Sequence, residues 1–199
     1  WLDAASGVAR PGNELDGSAA RNVTRWDSVA ACSGCAHLEA AAGSFPAFQV
    51  GALSGRPAIK FGSGRSAIVK PAGIDFSAAM AVVAVFKCTS GTCSFSDPQA
   101  TLMFSNGSTG LGPACASWES VTVRVNGAPL GSVANASFEG FAVASLTGLG
   151  AAGCSPSVLD VFGAGWDAQV AEILVWNAAL SAMQEKQVED YLMAKFAVG

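Results

Sequence analysis

Gln169–Asn177 reads QVAEILVWN, and a short turn separates it from Ala182–Phe196, AMQEKQVEDYLMAKF. Alternation in the first stretch puts Ala171, Ile173 and Val175 on one face and Val170, Leu174 and Trp176 on the other, with Glu172 as the only acid. A strand apolar on both faces belongs in the middle of a sheet. In the second stretch Ser181 is placed to cap the first free amides of a helix. Its residues Met183, Val188, Tyr191, Leu192 and Phe196 form one broad apolar stripe, which leaves Gln184, Glu185, Lys186, Gln187, Glu189 and Asp190 for water.

Upstream, short apolar runs alternate with turn residues. Trp1–Ala4 and Val23–Val29 read as strands, as do Phe45–Val50, Ala58–Phe61 and Ala67–Val69, with Gly51, Ser54-Gly55 and Gly62-Ser-Gly64 as the turns between the last three. Trp26 is expected as a core anchor in preference to an exposed platform. Met80–Lys87, MAVVAVFK, is the second strongly apolar strand, predicted to lie beside the C-terminal one, and the Cys88–Cys93 loop is expected to fold it into a hairpin. Thr101–Ser105 follows, then Val121–Val125, where Asn126-Gly127 marks a tight hairpin returning along Pro129–Val133. Phe138–Leu146 and Val158–Phe162 complete the set.

The 199 residues are 51% hydrophobic and only 13% charged, enough for one substantial core and rather short for two, so residues 1–199 are expected to form one domain. A net charge of −4 disfavours nucleic acid and anionic lipid as partners. The longest apolar run, Ile74–Phe86, contains Asp75 and falls short of the roughly 20 residues needed to span a bilayer. Trp1 opens the sequence with neither Met nor a signal peptide, which reads as a piece excised or processed from a longer parent.

Six cysteines, at 32, 35, 88, 93, 115 and 154, and the sequons at Asn22, Asn106 and Asn135 point to an extracellular or cell-surface setting. Cys32-Ser-Gly-Cys35 has three readings: a local disulfide, half of a zinc site with Cys88 and Cys93, or a redox motif. The disulfide is favoured, because the strands do not alternate with helices as a thioredoxin-like fold requires. The expected pairing is Cys32 with Cys35, Cys88 with Cys93 and, by elimination, Cys115 with Cys154.

The many short strands and single C-terminal helix predict an all-β fold, a two-sheet antiparallel jelly-roll sandwich. Four stretches carry a family likeness: Trp1-Leu-Asp-Ala, Val23-Thr-Arg-Trp-Asp27, Gly55-Arg-Pro-Ala-Ile-Lys-Phe-Gly62, and Ala171–Ser181 running into Gln187-Val-Glu-Asp-Tyr-Leu192. In these the chain resembles the concanavalin A-like, laminin G-like jelly-roll domains found as extracellular modules. The resemblance implies that the C-terminal strand pairs close to the N-terminal one and that the last helix packs against the sheet rim. The cysteine-bearing insertions depart from that pattern.

Glycosidase chemistry on such a fold needs two carboxylates on one face. Glu172 has Leu174 and Trp176 as its same-face neighbours, so it is read as structural. The lone His37, expected in a loop, and the lone Tyr191 lack the company a lyase or hydrolase would require, and no Gly-x-Ser-x-Gly elbow is present. No catalytic residue, cofactor or metal is therefore assigned; calcium would have to be gathered by folding from the scattered Asp97, Asp160 and Asp167. For glycan contact the candidates are Trp118 with Glu119 and Trp166 with Asp167, each a ring beside an acid, although packing in the core is the favoured reading of both rings. The expectation is a non-catalytic lectin-like module that contacts glycans or neighbouring extracellular domains. The alternatives are a carbohydrate-active enzyme on the same fold and a spacer without ligand.

Overall fold

The computed structural model describes residues 2–3, 5, 8–9, 21–23, 25–27, 37–40, 45–61, 67–68, 81–88, 93–94, 121–130, 137–138, 141–149, 160–161 and 168–198. In chain order its elements begin with β1 (Leu2–Asp3), β2 (Val8–Ala9), β3 (Arg21–Asn22), β4 (Arg25–Asp27), β5 (His37–Ala40), β6 (Ala47–Leu53), β7 (Arg56–Phe61) and β8 (Ala67–Ile68). They continue with β9 (Ala81–Cys88), β10 (Cys93–Ser94), β11 (Thr122–Val125), β12 (Ala128–Pro129), β13 (Ser137–Phe138), β14 (Phe141–Thr147), β15 (Asp160–Val161), β16 (Ala168–Trp176) and the helix α1 (Ala182–Phe196). The fold is mostly β, dominated by one antiparallel sheet in the order β12-β11-β14-β9-β16-β7-β6-β3, with α1 as its C-terminal helix. Shorter strands pair as β15-β8-β5-β4-β2 and as β10-β13.

β16 lies in the middle of the large sheet, as its two apolar faces predict. One edge runs along β9. The other is divided between β7, opposite Ala168–Val170, and β1, where Leu2 faces Ile173 and Asp3 faces Glu172. The N-terminal strand thus pairs with the C-terminal one. A bulge between Val170 and Glu172 shifts the register by one residue. Val170 therefore shares a face with Ile173, not with Leu174 as plain alternation has it, because the extra residue reverses the parity of everything before it.

Registered partners share a face, so the sheet sorts into two sides. Val83, Val85, Val143, Ala58, Leu53, Ala171 and Leu174 form one apolar cluster with Leu192 and Phe196 of α1. Val82, Ala84, Phe86, Ala142, Ala144, Val170, Ile173, Ile59 and Phe61 point the other way and are equally buried. Trp26 is buried too, at 1% exposure, which makes it a core residue.

Turn chemistry is where the sequence places it. Asn126 and Gly127 both take positive φ between β11 and β12, and Ser54 and Gly55 do the same between β6 and β7, the geometry a right-twisted two-residue hairpin needs. Gly51 departs from expectation: β6 continues through it to Leu53, and its left-handed φ of 66° accompanies a register irregularity in place of a turn. The hairpin expected across Cys88–Cys93 is not formed, since β10 pairs with β13. His37 lies in strand β5, opposite Asp27, and not in a loop. The strand expected over Thr101–Ser105 lies outside the described residues.

The helix starts where Ser181 predicts. The Gln184 backbone amide donates to Ser181 Oγ at 3.3 Å and the Ser181 amide donates to Gln184 Oε1 at 2.9 Å, a reciprocal box. It ends at Ala197, in the left-handed region at φ 53°, with the Val198 amide donating to the Met193 carbonyl at 2.9 Å. The β6–β7 turn completes the end: Arg56 Nε donates to the Lys195 carbonyl at 2.9 Å, and Ser54 Oγ donates to that of Phe196. A left-handed alanine carries a cost that glycine does not, so Ala197→Gly is expected to raise stability by about 1 kcal/mol in urea unfolding. A loss of stability would mean that the alanine methyl packs.

The helix face is the main correction to the sequence reading. Glu185 and Glu189, expected in water, are buried at 8% and 1% exposure, whereas Met183 and Tyr191, expected in the core, are exposed at 73% and 50%. The buried stripe is Glu185, Glu189, Leu192 and Phe196, a regular 4-3-4 spacing that includes two acids.

Candidate functional site

Most residues proposed from sequence for ligand contact or cross-linking lie outside the described residues: Trp118, Glu119, Trp166, Asp167, Asn106, Asn135, Cys32, Cys35, Cys115 and Cys154. Cys88 closes β9 and Cys93 opens β10. Of the calcium candidates only Asp160 has its backbone described, in β15. Asn22 is described and exposed, at the end of β3, the outermost strand on its side of the large sheet.

The structure brings two polar groupings together. The first lies between α1 and the sheet. Ser145 of β14 sits beneath the helix with its Oγ 2.8 Å from Glu185 Oε1 and 2.6 Å from Glu189 Oε1; its single proton serves one acid at a time. Arg124 of β11, in register with Ser145, donates from Nε to both Glu189 oxygens at 3.0 and 3.1 Å and from its Nη2 to the Gly127 carbonyl. Burying Leu192 and Phe196 contributes about 2 kcal/mol each, which an uncompensated buried carboxylate would cancel. Arg124 and Ser145 are what let the acidic stripe dock.

The same principle accounts for Glu172. It is fully buried in β16, and Lys195 of α1 reaches it with Nζ 2.6 Å from Oε2. The lysine lies over the rings of Phe196 and Tyr191, 5.4 and 5.8 Å from their centroids. Glu185 and Glu189 are close enough together to suggest paired acids, but they face Arg124 and Ser145 under the helix and line no open groove. No group of three or more His, Cys, Asp or Glu able to hold a metal occurs among the described residues.

The second grouping is a row crossing the sheet on the face that carries α1, beyond the apolar cluster. Successive register partners are Asn22 of β3, Ala47 of β6, Lys60 of β7, Gln169 of β16, Lys87 of β9 and Phe141 of β14. Strands stand about 4.8 Å apart, so the two lysines flank Gln169 with their Cα atoms about 10 Å from each other. Gln169 Nε2 donates to Gln49 Oε1 of β6, which uses one end of each amide. Lys60, Lys87, Gln49, Gln169 and Phe141 are all partly exposed, and Asn22 is exposed.

Comparison supplies no relative. The chain matches no family model, no curated protein and no solved structure. No helix among the described residues is long and apolar enough to cross a membrane.

Sequence reasoning missed this row because each member is ordinary where it stands. Lys60 reads as the polar residue of an alternating strand and Lys87 as the charged end of an apolar one. Only the strand order, with β16 between β7 and β9, makes them neighbours. The acid cluster left a clearer trace: the 4-3-4 spacing of residues 185, 189, 192 and 196, with Arg124 on an alternating strand.

Proposed function

We propose that the chain is a non-catalytic, lectin-like extracellular module that works by adhesion or assembly, through contacts with glycans or neighbouring protein domains, within a larger cell-surface, cell-wall or filament structure. The observation that carries this reading is the transverse row of amide and ammonium groups on a partly exposed sheet face. Such groups hydrogen-bond hydroxyl and carboxyl oxygens without doing chemistry on them. The described buried carboxylates, by contrast, are held by Arg124, Ser145 and Lys195 in structural pairs.

A two-sheet jelly roll of the concanavalin A-like kind suits this role. In support, most of the sheet face turned away from α1 is buried, which calls for a second layer, and the short strands β15-β8-β5-β4-β2 are available to form one. The exposed sequon Asn22 and the cysteines support an extracellular location.

The test is a glycan-array screen of the isolated chain with and without calcium, followed by a cleavage assay on whatever binds. Binding without turnover is the expected outcome. Turnover would favour the carbohydrate-active enzyme, and silence on every glycan would leave a structural module whose partners are neighbouring proteins.

A further inference from the structure

We infer that Asn22 is a glycosylation site whose sugar chain closes one edge of the large sheet to a second copy of this protein; this rests on the extracellular reading above and gives the modification a structural role. Among the described residues the sheet ends at β12 on one side and at β3 on the other. An open edge offers backbone N–H and C=O groups to any strand that comes beside it.

At β12 the backbone itself is the stop. The Leu130 amide donates to the Val123 carbonyl at 2.9 Å, so the residue one position earlier turns its backbone groups away from β11. That residue is Pro129, exposed and without an N–H to give. At β3 the same alternation has the opposite result. The Val23 amide donates to the Pro46 carbonyl at 2.7 Å and Asn22 is in register with Ala47, so the Asn22 N–H and C=O both point away from β6. Asn22 is exposed, whereas Val23 next to it is buried. Beyond Phe48, β6 protects itself: its register breaks between Gln49 and Leu53, and Gly51 is left-handed. Of residues 21–23, Asn22 is the one that offers an incoming strand both a donor and an acceptor.

The same residue heads the sequon Asn22-Val23-Thr24. In the secretory pathway a bond forms from Asn22 Nδ2 to the anomeric carbon of a lipid-linked oligosaccharide, the bond from that carbon to the carrier's diphosphate breaks, and the amide gives up a proton. The product is a bulky, hydrated chain on the residue whose backbone faces outward. Pairing with a second β3 about a two-fold axis would force two such chains into one gap. The sugar thus does at β3 what Pro129 does at β12.

The full chain is secreted from a eukaryotic host behind a host signal peptide, glycans are mapped by peptide mass, and oligomeric state is followed by light scattering over a range of concentrations. The expected protein is monomeric with Asn22 occupied. Thr24→Ala and Asn22→Gln, which both lose the glycan, are expected to associate with rising concentration towards twice the monomer mass. Thr24→Ser keeps the sequon, and Asn22→Pro gives up the outward N–H along with the sugar, so both are expected to stay monomeric; thermal melts confirm that each variant folds. An empty Asn22 in secreted protein overturns the site and leaves the extracellular reading standing, whatever Asn106 and Asn135 carry. Glycosylated protein that associates, folded Thr24→Ala and Asn22→Gln proteins that stay monomeric, or a folded Asn22→Pro protein that associates as they do, each overturn the role at the edge. Retention of the chain inside the host removes this inference and the extracellular reading together.

Discussion

Lys195→Met is expected to destabilise the protein by about 3 to 5 kcal/mol, because it strips the fully buried Glu172 carboxylate of the ammonium 2.6 Å away. In a thermal melt this corresponds to a fall on the order of 10 °C for a chain of this size. The attraction between the two charges is not the source of the effect. Both were taken out of water when α1 docked, and the gain from pairing roughly offsets that desolvation. The cost of the variant is a fully buried carboxylate that loses its ammonium and cannot return to water. The double variant Glu172→Met with Lys195→Met should accordingly recover most of the lost stability, since it removes the charge as well as its partner. A double variant as unstable as the single one would show that the pair itself, and not the stranded acid, carries the energy.

Arg124→Met is the second large effect, expected at about 3 kcal/mol in urea unfolding. Arg124 Nε holds both oxygens of Glu189, which is 1% exposed, and lies 3.9 Å from Glu185. Without it two carboxylates crowd one serine hydroxyl under the helix. The readout specific to this site is α1 itself: limited proteolysis should cut between Trp176 and Phe196 sooner in the variant, because Leu192 and Phe196 alone no longer keep the helix seated. Arg124→Lys should retain part of the effect, since an ammonium supplies charge but not the guanidinium fork. A loss below about 1 kcal/mol would assign Arg124 to the class of screened surface pairs.

Much of the fold was legible because local signals agreed with one another. The apolar strand at the C-terminal end, the Ser181 cap, the Asn126-Gly127 turn and the partnership of β9 with β16 each follow from residues a few positions apart. What the sequence obscured depends on partners distant along the chain. Glu185 and Glu189 read as solvent-facing because a carboxylate belongs in water unless something waits for it, and what waits, Arg124 and Ser145, lies 40 or more positions away. Met183 and Tyr191 took the places meant for the acids for the same reason. The bulge at Val170–Glu172 has no residue signature, so the facing of Val170 could not be read from alternation. The lysine row is invisible until the strand order is known. Trp118 with Glu119, beside Cys115, and Trp166 with Asp167, after Gly163-Ala-Gly165, each offer a ring beside an acid, and all four lie outside the described residues.

β1 and α1 meet on one strand. Asp3 faces Glu172 across a single strand spacing, and Lys195 reaches the same Glu172 with its side chain. The first and last described elements are thus seated on one buried residue in the middle of the large sheet. Freeing either of them disturbs the packing around the same carboxylate, which ties the earliest and latest elements of the described fold into one cooperative unit.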